Sequence, residues 1–444
     1  MKIFSLLLLN FSVTFCLFAQ NVSAQNIPDP NFADAIRWSC PACIDASSNL
    51  TSAAQNLTNL YVFASNITNL AGIEGFINLK YLDCSYNQLD SLPELPNSLT
   101  KLDCYDNQLS SLPTLPNTLE VLYCLNNQLH SLPALPNSLT DLHCYNNQLS
   151  LMPVLPDSLT VLICSDNQLD SLPALPNALT DLYCFNNQLK SLPALPDNLT
   201  ILNCGNNQLN SLPALPASLE TLNCHDNQLI FLPALPDKLM SLVCDSNQLS
   251  SLLALPESLV FLDCSYNPLS PMPALPDSLK FLFCSGNQLD SLPELPHNLG
   301  FLTCGDNPSL SCLPSLPNSL KNLLIWNTQI TCIPNLPSNP FFSMAPVLPL
   351  CSVPCDPSVS TTNILATKPF SIQPNPVSEV LQVLFSADYE KNADFHLLNS
   401  KGQIVRTLSE KGNVEISVGD LPQGIYWLEV RGAKWVFGEK ILKK

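Results

Sequence analysis

Apolar residues recur with a strict period along the middle of the chain. Every twentieth residue from Cys84 to Cys304 is a cysteine, with leucine two places before it and asparagine three places after it. The Leu-x-Cys pattern alternates apolar and variable positions, which predicts one short strand per period with leucine and cysteine pointing inward. Such a regular period predicts a solenoid, because no coil can bury its leucines without its neighbours.

The polar and proline positions predict the rest of each coil. The asparagine is expected where the chain leaves the strand, with its amide satisfying backbone groups of its own and the adjacent coil. The chain then returns through Leu-Pro-x-Leu-Pro, whose prolines fix φ and remove backbone donors. The return path is therefore predicted to be extended or polyproline-like rather than helical. With one irregular coil before the regular ones and one after them, the chain forms about fourteen coils.

Composition excludes several classes of protein. Hydrophobic residues make up 46% of the 444 residues and charged residues only 12%, which argues against intrinsic disorder. The 40 prolines argue against a helical bundle, because proline disrupts a helix interior. The net charge of −18 would repel phosphate backbones, so no nucleic-acid partner is expected.

The repeat resembles the leucine-rich repeat family, which shares the Leu-x-x-Leu-x-Leu-x-x-Asn/Cys-x-Leu core. The Leu-Pro-x-Leu-Pro segment is most similar to the short repeats of secreted bacterial effectors, and cysteine here replaces the third apolar residue conservatively. The expected fold is a leucine-rich repeat solenoid over residues 57–340. Its parallel β-sheet would form the concave face, and the extended segments would form the convex side.

The N-terminus is typical of a secretory signal peptide. Lys2 precedes an apolar stretch, and Val22-Ser23-Ala24 places small residues for cleavage after residue 24. A membrane anchor is the alternative, but Asn10, Thr14 and Gln20 interrupt the stretch short of a membrane span. No transmembrane segment is expected after signal cleavage. Residues 25–56 are expected to cap the first coil, which would otherwise expose leucines.

The C-terminal residues differ from the repeats. Residues 341–369 are interpreted as a C-terminal cap and polar linker, and alternating apolar runs in residues 370–444 predict a small antiparallel β-sandwich. Three motifs and the basic end of this segment resemble the type A C-terminal sorting domain of the Bacteroidetes type IX secretion system: Pro374-Asn375-Pro376, Leu398-Asn399-Ser400-Lys401-Gly402, Leu421-Pro422-Gln423-Gly424-Ile425-Tyr426 and Lys440-Ile441-Leu442-Lys443-Lys444.

The resemblance to a sorting domain implies a route and a destination. It implies Sec export, then passage through the outer-membrane secretion machinery, which would engage residues 370–444. It also implies removal of the domain, followed by release or attachment to lipopolysaccharide at the cell surface. The alternative is an ordinary β-sandwich adhesion module that stays on the mature protein.

Six cysteines outside the ladder of twelve are candidates for disulfides near the two ends of the solenoid: Cys40, Cys43, Cys312, Cys332, Cys351 and Cys355. Cys312 and Cys332 are one repeat period apart and could lie on adjacent coils, while Cys351 and Cys355 could pair locally. The sequence leaves this connectivity open.

Neither a catalytic site nor a cofactor or metal site is predicted. The five histidines fall in different repeat slots or domains, so no triad or metal cluster is indicated. The twelve ladder thiols stack in a line, whereas zinc requires four ligands around one point. They are interpreted as buried, inert thiols.

The outward side of the strands is the candidate binding face. Its slots carry acidic residues and are enriched in aromatic residues, and exposed tyrosine and phenylalanine on a rigid sheet resemble the anchors of protein interfaces. The alternative is lateral stacking, in which aromatics on neighbouring strands stabilise each other without a ligand. The candidate partner-binding residues are Tyr105, Tyr123, His143, Tyr145, Tyr183, Phe185, His225, Asp263, Tyr266 and Phe283.

Two functions are compatible with this sequence. The first is a non-catalytic, secreted or cell-surface binding protein that recognises a protein or glycan through its concave aromatic and acidic face. The second is a structural or protective cell-surface protein whose repeats need no specific ligand. An effector acting inside host cells is a weaker third hypothesis, because the terminal domain implies the surface or the medium as destination.

Overall fold

Fifteen short parallel strands in sequential order, one per coil, form the main sheet. The computed structural model describes residues 25–339, 343–351, 370–385, 392–399, 404–411, 413–432 and 435–444. The strands are β1 (Asn59–Tyr61), β2 (Tyr81–Asp83), β3 (Lys101–Asp103), β4 (Val121–Tyr123), β5 (Asp141–His143), β6 (Val161–Ile163), β7 (Asp181–Tyr183), β8 (Ile201–Asn203), β9 (Thr221–Asn223), β10 (Ser241–Val243), β11 (Phe261–Asp263), β12 (Phe281–Phe283), β13 (Phe301–Thr303), β14 (Asn322–Leu324) and β15 (Ser343–Ala345).

The register of the sheet follows the period of the repeat. Leu162 of β6 pairs with Leu142 on one side and with Leu182 on the other, so equivalent residues of successive coils lie side by side. The Leu-Pro-x-Leu-Pro segments hold neither helix nor strand. The predicted parallel solenoid with a non-helical return path is thus confirmed.

The interior is a continuous column of leucine and cysteine. Leu162 and Cys164 are fully buried, as are the equivalent residues of the other regular coils. Each ladder cysteine lies on the inward side of its strand, as the alternation in Leu-x-Cys requires. The thiols therefore act as small apolar side chains in the shared core.

The repeated asparagine links successive coils by hydrogen bonds, and Asn167 is representative. Its side-chain nitrogen donates to the carbonyl oxygens of Cys164 and Ser165 in its own coil, at 3.1 and 3.0 Å, and of Cys144 in the preceding coil, at 3.1 Å. Its oxygen accepts from the backbone N–H of Leu149 at 2.9 Å. The amide uses both its donor and its acceptor in a place that water cannot reach, which explains why asparagine recurs in every regular coil.

An amphipathic helix closes the N-terminal end of the solenoid. Helix α1 (Pro30–Ser39) buries Phe32 and Ile36 in the apolar core that the first coils also share. Asp29 caps the helix by accepting from the N–H of Phe32, and its other oxygen accepts from the N–H of Thr68 at 2.8 Å. Three short 3-10 helices lie in the same part of the chain: Pro41–Cys43, Ser52–Asn56 and Ile73–Gly75.

The C-terminal residues form two antiparallel sheets. The first has the strand order β16-β17-β20 and the second β19-β18-β21-β22. Their strands are β16 (Phe370–Gln373), β17 (Val380–Phe385), β18 (Asn392–Asn399), β19 (Ile404–Lys411), β20 (Val414–Ser417), β21 (Gly424–Gly432) and β22 (Trp435–Lys443). Side chains of both sheets, such as Leu381 and Leu428, share one apolar core, which makes the domain a small β-sandwich.

Two of the motifs singled out in this domain have structural roles. The side-chain oxygen of Asn375, in Pro-Asn-Pro, accepts from the N–H of Leu442 in the last strand at 2.8 Å. The hydroxyl of Tyr426 donates to the carbonyl of Pro422 in the same motif at 2.9 Å. The motifs thus join the start of the domain to its end and close a turn.

Two disulfides join described cysteines, Cys40–Cys43 and Cys332–Cys351. Cys312 is also disulfide-bonded. The pairing of Cys312 with Cys332, and of Cys351 with Cys355, is therefore wrong. Ile333 also forms a bridge with Leu350, which places Cys332 beside Cys351.

The predicted signal peptide, residues 1–24, and most of the predicted linker lie outside the described residues. In the part of the chain that the structure describes, no helix has the length and apolarity that a membrane crossing requires.

Candidate binding face

Each strand presents two side chains to the concave surface, one before and one after its inward leucine. Because the register is regular, these side chains form two rows that run across the sheet. The residues one and two places after the cysteine continue the rows onto the following turn. A side chain in any row therefore has its neighbours in the same slot of the preceding and the following coil.

A continuous group of aromatic and cationic side chains, drawn from both rows, crosses the first five coils. Tyr61 and Tyr81 meet edge to face, with ring centroids 5.3 Å apart. The Lys101 ammonium lies over the rings of Tyr81 and Tyr123, at 4.7 and 5.0 Å from their centroids. Tyr123 stacks on His143 at 4.3 Å. Five successive coils thus share one continuous surface of rings around a single cation.

A carboxylate lies beneath this group of rings. The Tyr81 hydroxyl donates to Asp103, and the Lys101 ammonium lies 3.3 Å from the same carboxylate. Burial raises the pKa of Asp103 above its ordinary value, against the opposing effects of Tyr81 and Lys101. Burial also lowers the pKa of His143, against the opposing charge of Asp141 and together with a smaller effect of Lys101, which favours the neutral imidazole at pH 7.

The slot two residues after each cysteine has a left-handed backbone. Asparagine and aspartate tolerate this conformation, and they fill most of these slots, as at Asn126 and Asp166. Tyr86 and Tyr266 adopt it with φ of 53° and 54°, although tyrosine disfavours it. Both are exposed, at 56% and 50%. Bulky, strained and exposed rings are features that a binding surface would explain better than stability does.

Glycine makes room for aromatic rings on this surface. A Cβ atom on Gly205 would lie 2.2 Å from the ring of His225, which is the residue in the same slot of the next coil. A Cβ atom on Gly286 would lie 2.5 Å from the ring of Tyr266. These rings therefore rest on the backbone of an adjacent coil.

The structure spreads the predicted face residues along the sheet, from the coil of β3 to that of β12, rather than bringing them into one pocket. Seven of them are half-buried: Tyr105, Tyr123, His143, Tyr145, Tyr183, Phe185 and His225. Tyr266 is exposed, whereas Asp263 and Phe283 are buried, at 0% and 2% exposure. The expectation that the outward side of every strand lies open is wrong for β11, β13 and β14, whose outward side chains are all buried.

Sequence reasoning omitted three aromatic residues of the face. Tyr81 occupies the slot that Lys101 occupies one coil later, so slot equivalence was the signal that could have found it. Tyr61 lies in the first, irregular coil, where its strand pairs with β2 and sets Tyr61 opposite Asp83. Tyr86 lies in the left-handed slot and packs edge to face on Tyr105, with centroids 5.3 Å apart.

The cysteine ladder offers no reactive site. All twelve ladder thiols are buried, and none of them forms a disulfide. Burial raises the pKa of thiols along the ladder, to about 12 for Cys124, Cys164 and Cys204. A thiolate is thus strongly disfavoured in this core. Among the residues that the structure describes, no group of three or more His, Cys, Asp or Glu side chains is placed to hold a metal ion.

Comparison with known proteins agrees with this architecture. Residues 55–97 and 157–197 match the family model for leucine-rich repeats in two copies. The solved structure of YopM, a leucine-rich effector protein from Yersinia pestis, is 33% identical over 65% of this chain and 88% of that one, with a TM-score of 0.56. The chain belongs to the leucine-rich repeat family.

Two solved structures from Listeria monocytogenes share the fold of this leucine-rich repeat protein. The functional domain of InlJ, which includes a cysteine ladder, is 21% identical over 94% of this chain and 97% of that one, with a TM-score of 0.57. The internalin InlF is 18% identical over 72% of this chain and 95% of that one, with a TM-score of 0.51. A comparison with curated protein sequences gives no match.

The C-terminal domain gives the leucine-rich repeat protein its destination. Residues 371–444 match the family model for the secretion system C-terminal sorting domain. This confirms the type IX sorting domain that the motifs predicted. The protein is therefore secreted or displayed on the outer-membrane surface.

Proposed function

We propose that this leucine-rich repeat protein is a non-catalytic binding protein that recognises a protein or glycan through the open part of its concave face. The open part comprises the outward residues of β1 to β9. The observation that carries the proposal is the continuous group of rings and charge from Tyr61 to His143. Aromatic rings on a rigid sheet bind with little loss of conformational entropy.

The chemistry of the face favours a polar partner with flat or cationic groups. Tyr123 and Tyr183 combine a ring with a hydroxyl, which suits the apolar faces and hydroxyls of sugars as well as protein side chains. Aspartates such as Asp141 and Asp181 lie in the adjacent row, before the inward leucine of their strands. The surface therefore offers stacking, hydrogen bonds and negative charge together.

The absence of catalysis is part of the proposal. The described histidines of the repeats lie in different coils, and His143 stacks on a tyrosine rather than facing a nucleophile. A catalytic site needs unlike groups converging on one point, whereas this face presents rows. The fold of the solved relatives supports the same interpretation.

A structural or protective role without a ligand is the second candidate. The edge-to-face contacts of Tyr61 with Tyr81, and of Tyr86 with Tyr105, give each ring a partner within the protein itself. Such stacking stabilises a sheet without any external partner. The two candidates differ in whether loss of the rings removes an interaction or only stability.

The test begins with a glycan array and a displayed-protein library probed with the full chain, and each binder is then titrated. In the double variant Tyr123→Ala/Tyr183→Ala, Kd should rise about tenfold or more, as for interface anchors. The matched control is Leu151→Ala/Val154→Ala, which removes two side chains that are 64% and 84% exposed on the return path. The control should leave Kd unchanged.

Thermal unfolding of each variant separates binding from stability. If both double variants fold and bind alike, the face is not the binding surface. If the full chain finds no binder on either panel while its removal weakens the cell surface, the structural role replaces the binding role.

A further inference from the structure

The concave face changes from open to covered along the sheet. Ile163 of β6 and Tyr183 of β7 are half-buried, whereas Phe283, in the same slot of β12, is only 2% exposed. In the other row, Ile201 of β8 is half-buried and Phe301 of β13 is 7% exposed. Equivalent positions on one regular sheet thus have different surroundings.

The sorting domain lies against the covered end. Its last strand, β22, packs against β14 and β15 of the solenoid. Phe283 and Phe301 belong to one contiguous apolar cluster with Leu381 and Leu428 of the sandwich. The cluster is separate from the leucine and cysteine column inside the solenoid. The apolar end of the concave face therefore shares its core with the domain that directs secretion.

Mutual packing of the phenylalanines does not account for this burial. Phe283 does contact Phe261 and Phe301, with centroids 5.2 and 5.1 Å away. However, Thr303 and Asp263 are small or polar residues of the same strands, and they are 1% and 0% exposed. In the same slot of the open part, Asn203 and Asn223 are half-buried, so the complete burial of Thr303 and Asp263 supports a further surface over this end of the sheet.

Two acidic residues of the open part show a different cause of burial and how near the C-terminus of the sorting domain comes to this part of the sheet. Asp103 is 5% exposed, but Tyr81 and Lys101 cover it locally. Burial raises the pKa of Asp166, and both a hydrogen bond from Asn186 and the positive charge of Lys444, the last residue, oppose that rise. The C-terminus of the sorting domain is therefore close enough to act on a carboxylate far from the covered end.

We propose that the sorting domain is an intramolecular ligand of the concave face and keeps its C-terminal end, β10 to β14, closed as long as the domain remains on the chain. Removal of the domain uncovers a strip of four phenylalanines, Phe261, Phe281, Phe283 and Phe301. The strip also contains Asp245 and Asp263, so it suits apolar protein surface that carries basic groups. The domain itself has this chemistry, because its apolar strands end in Lys443 and Lys444. The inference goes beyond the proposed function, since it requires no external partner.

The experiment measures hydroxyl-radical oxidation of single residues in the full chain by mass spectrometry. After correction for intrinsic reactivity, Phe283 and Phe301 should be oxidised about tenfold more slowly than Tyr183, which lies on the open part. The variant Phe283→Asp places a charge in the covered strip, and Phe301 should then be oxidised about tenfold faster. Ile163→Asp, in the same slot of the open part, is the matched control and should leave Phe301 protected.

A second measurement follows the domain directly. A protease site inserted between residues 356 and 368 allows the linker to be cut after folding. The cut pieces should co-elute in gel filtration for the wild type and for Ile163→Asp, and they should separate for Phe283→Asp. Thr303→Arg, which adds bulk to the strip and removes no apolar contact, should also separate them and replaces Phe283→Asp if that variant does not fold.

Two results would overturn the proposal. One is oxidation of Phe283 and Phe301 in the intact wild type as fast as that of Tyr183. The other is separation of the wild-type pieces as soon as the linker is cut, since the domain would then be held only by the chain.

Discussion

Removal of one ladder asparagine should weaken the solenoid at a predictable place. In Asn167→Ala, the N–H of Leu149 loses the side-chain oxygen that accepts from it at 2.9 Å. The three carbonyl oxygens that accept from Asn167 each retain a hydrogen bond from another donor. Cys144 and Cys164 still accept from Asn147 and Asn187, and the carbonyl of Ser165 still accepts from a backbone N–H.

The magnitude follows from this inventory. One buried N–H without a partner costs about 1–3 kcal/mol, and the lost net contribution of the other hydrogen bonds adds about 1 kcal/mol. Asn167→Thr should cost less, because threonine occupies this slot in the coil of β14. There the hydroxyl of Thr328 donates to the carbonyl of Ile325 at 2.9 Å.

Hydrogen exchange at the amide of Leu149 is the most direct assay, because unfolding of a long repeat array is not necessarily two-state. Exchange should become about thirtyfold to a thousandfold faster in Asn167→Ala. Gln168→Ala is the matched control, since Gln168 is the exposed next residue. Equal exchange rates in the two variants would refute the role assigned to the asparagine.

Three further predictions concern the core, the face and the cap. The ladder thiols, with pKa values raised by burial as at Cys204, should react with maleimide only after denaturation, as intact mass would report. Gly205→Ala should cost about 1–3 kcal/mol because of the His225 ring, whereas Gly300→Ala, whose nearest atom is 3.7 Å away, should cost little in urea unfolding. Although burial raises it, hydrogen bonds from Thr68 and other donors hold the pKa of Asp29 below 3.8, so this carboxylate stabilises the cap above pH 4. That contribution should disappear as the pH falls further. In acid unfolding, the stability of Asp29→Asn should therefore lack this dependence on pH.

The inward half of each coil was predictable because its surroundings repeat. Leu162 meets the same neighbours as Leu182, so one physical reason applies to all regular coils. The asparagine could be placed for the same reason, because an amide is needed wherever the strand ends. The sequence period thus determines strand register, core and turn together.

The remaining features depend on contacts that the period does not contain. The Cys332–Cys351 disulfide joins residues near the end of the solenoid, where the regular spacing has already ended. The left-handed slot was visible as a run of Asn and Asp, but its backbone conformation became clear only with the φ values. Phe283 shares its apolar cluster with a separate domain, which no repeat pattern could place on this face.

The aromatic residues in the strand slots nevertheless change from tyrosine and histidine to phenylalanine where the sorting domain begins to cover the sheet. Tyrosine and histidine supply the rings up to Tyr183, and phenylalanine supplies them from Phe261 to Phe301. A phenolic hydroxyl needs water or a hydrogen-bond partner, whereas a phenyl ring is stable where water is excluded. The hydroxyl-bearing rings lie on the open part of the sheet and the phenylalanines under the sorting domain. The type of aromatic residue therefore distinguishes the part of the face that is exposed to water from the part that stays excluded from water until the sorting domain is removed.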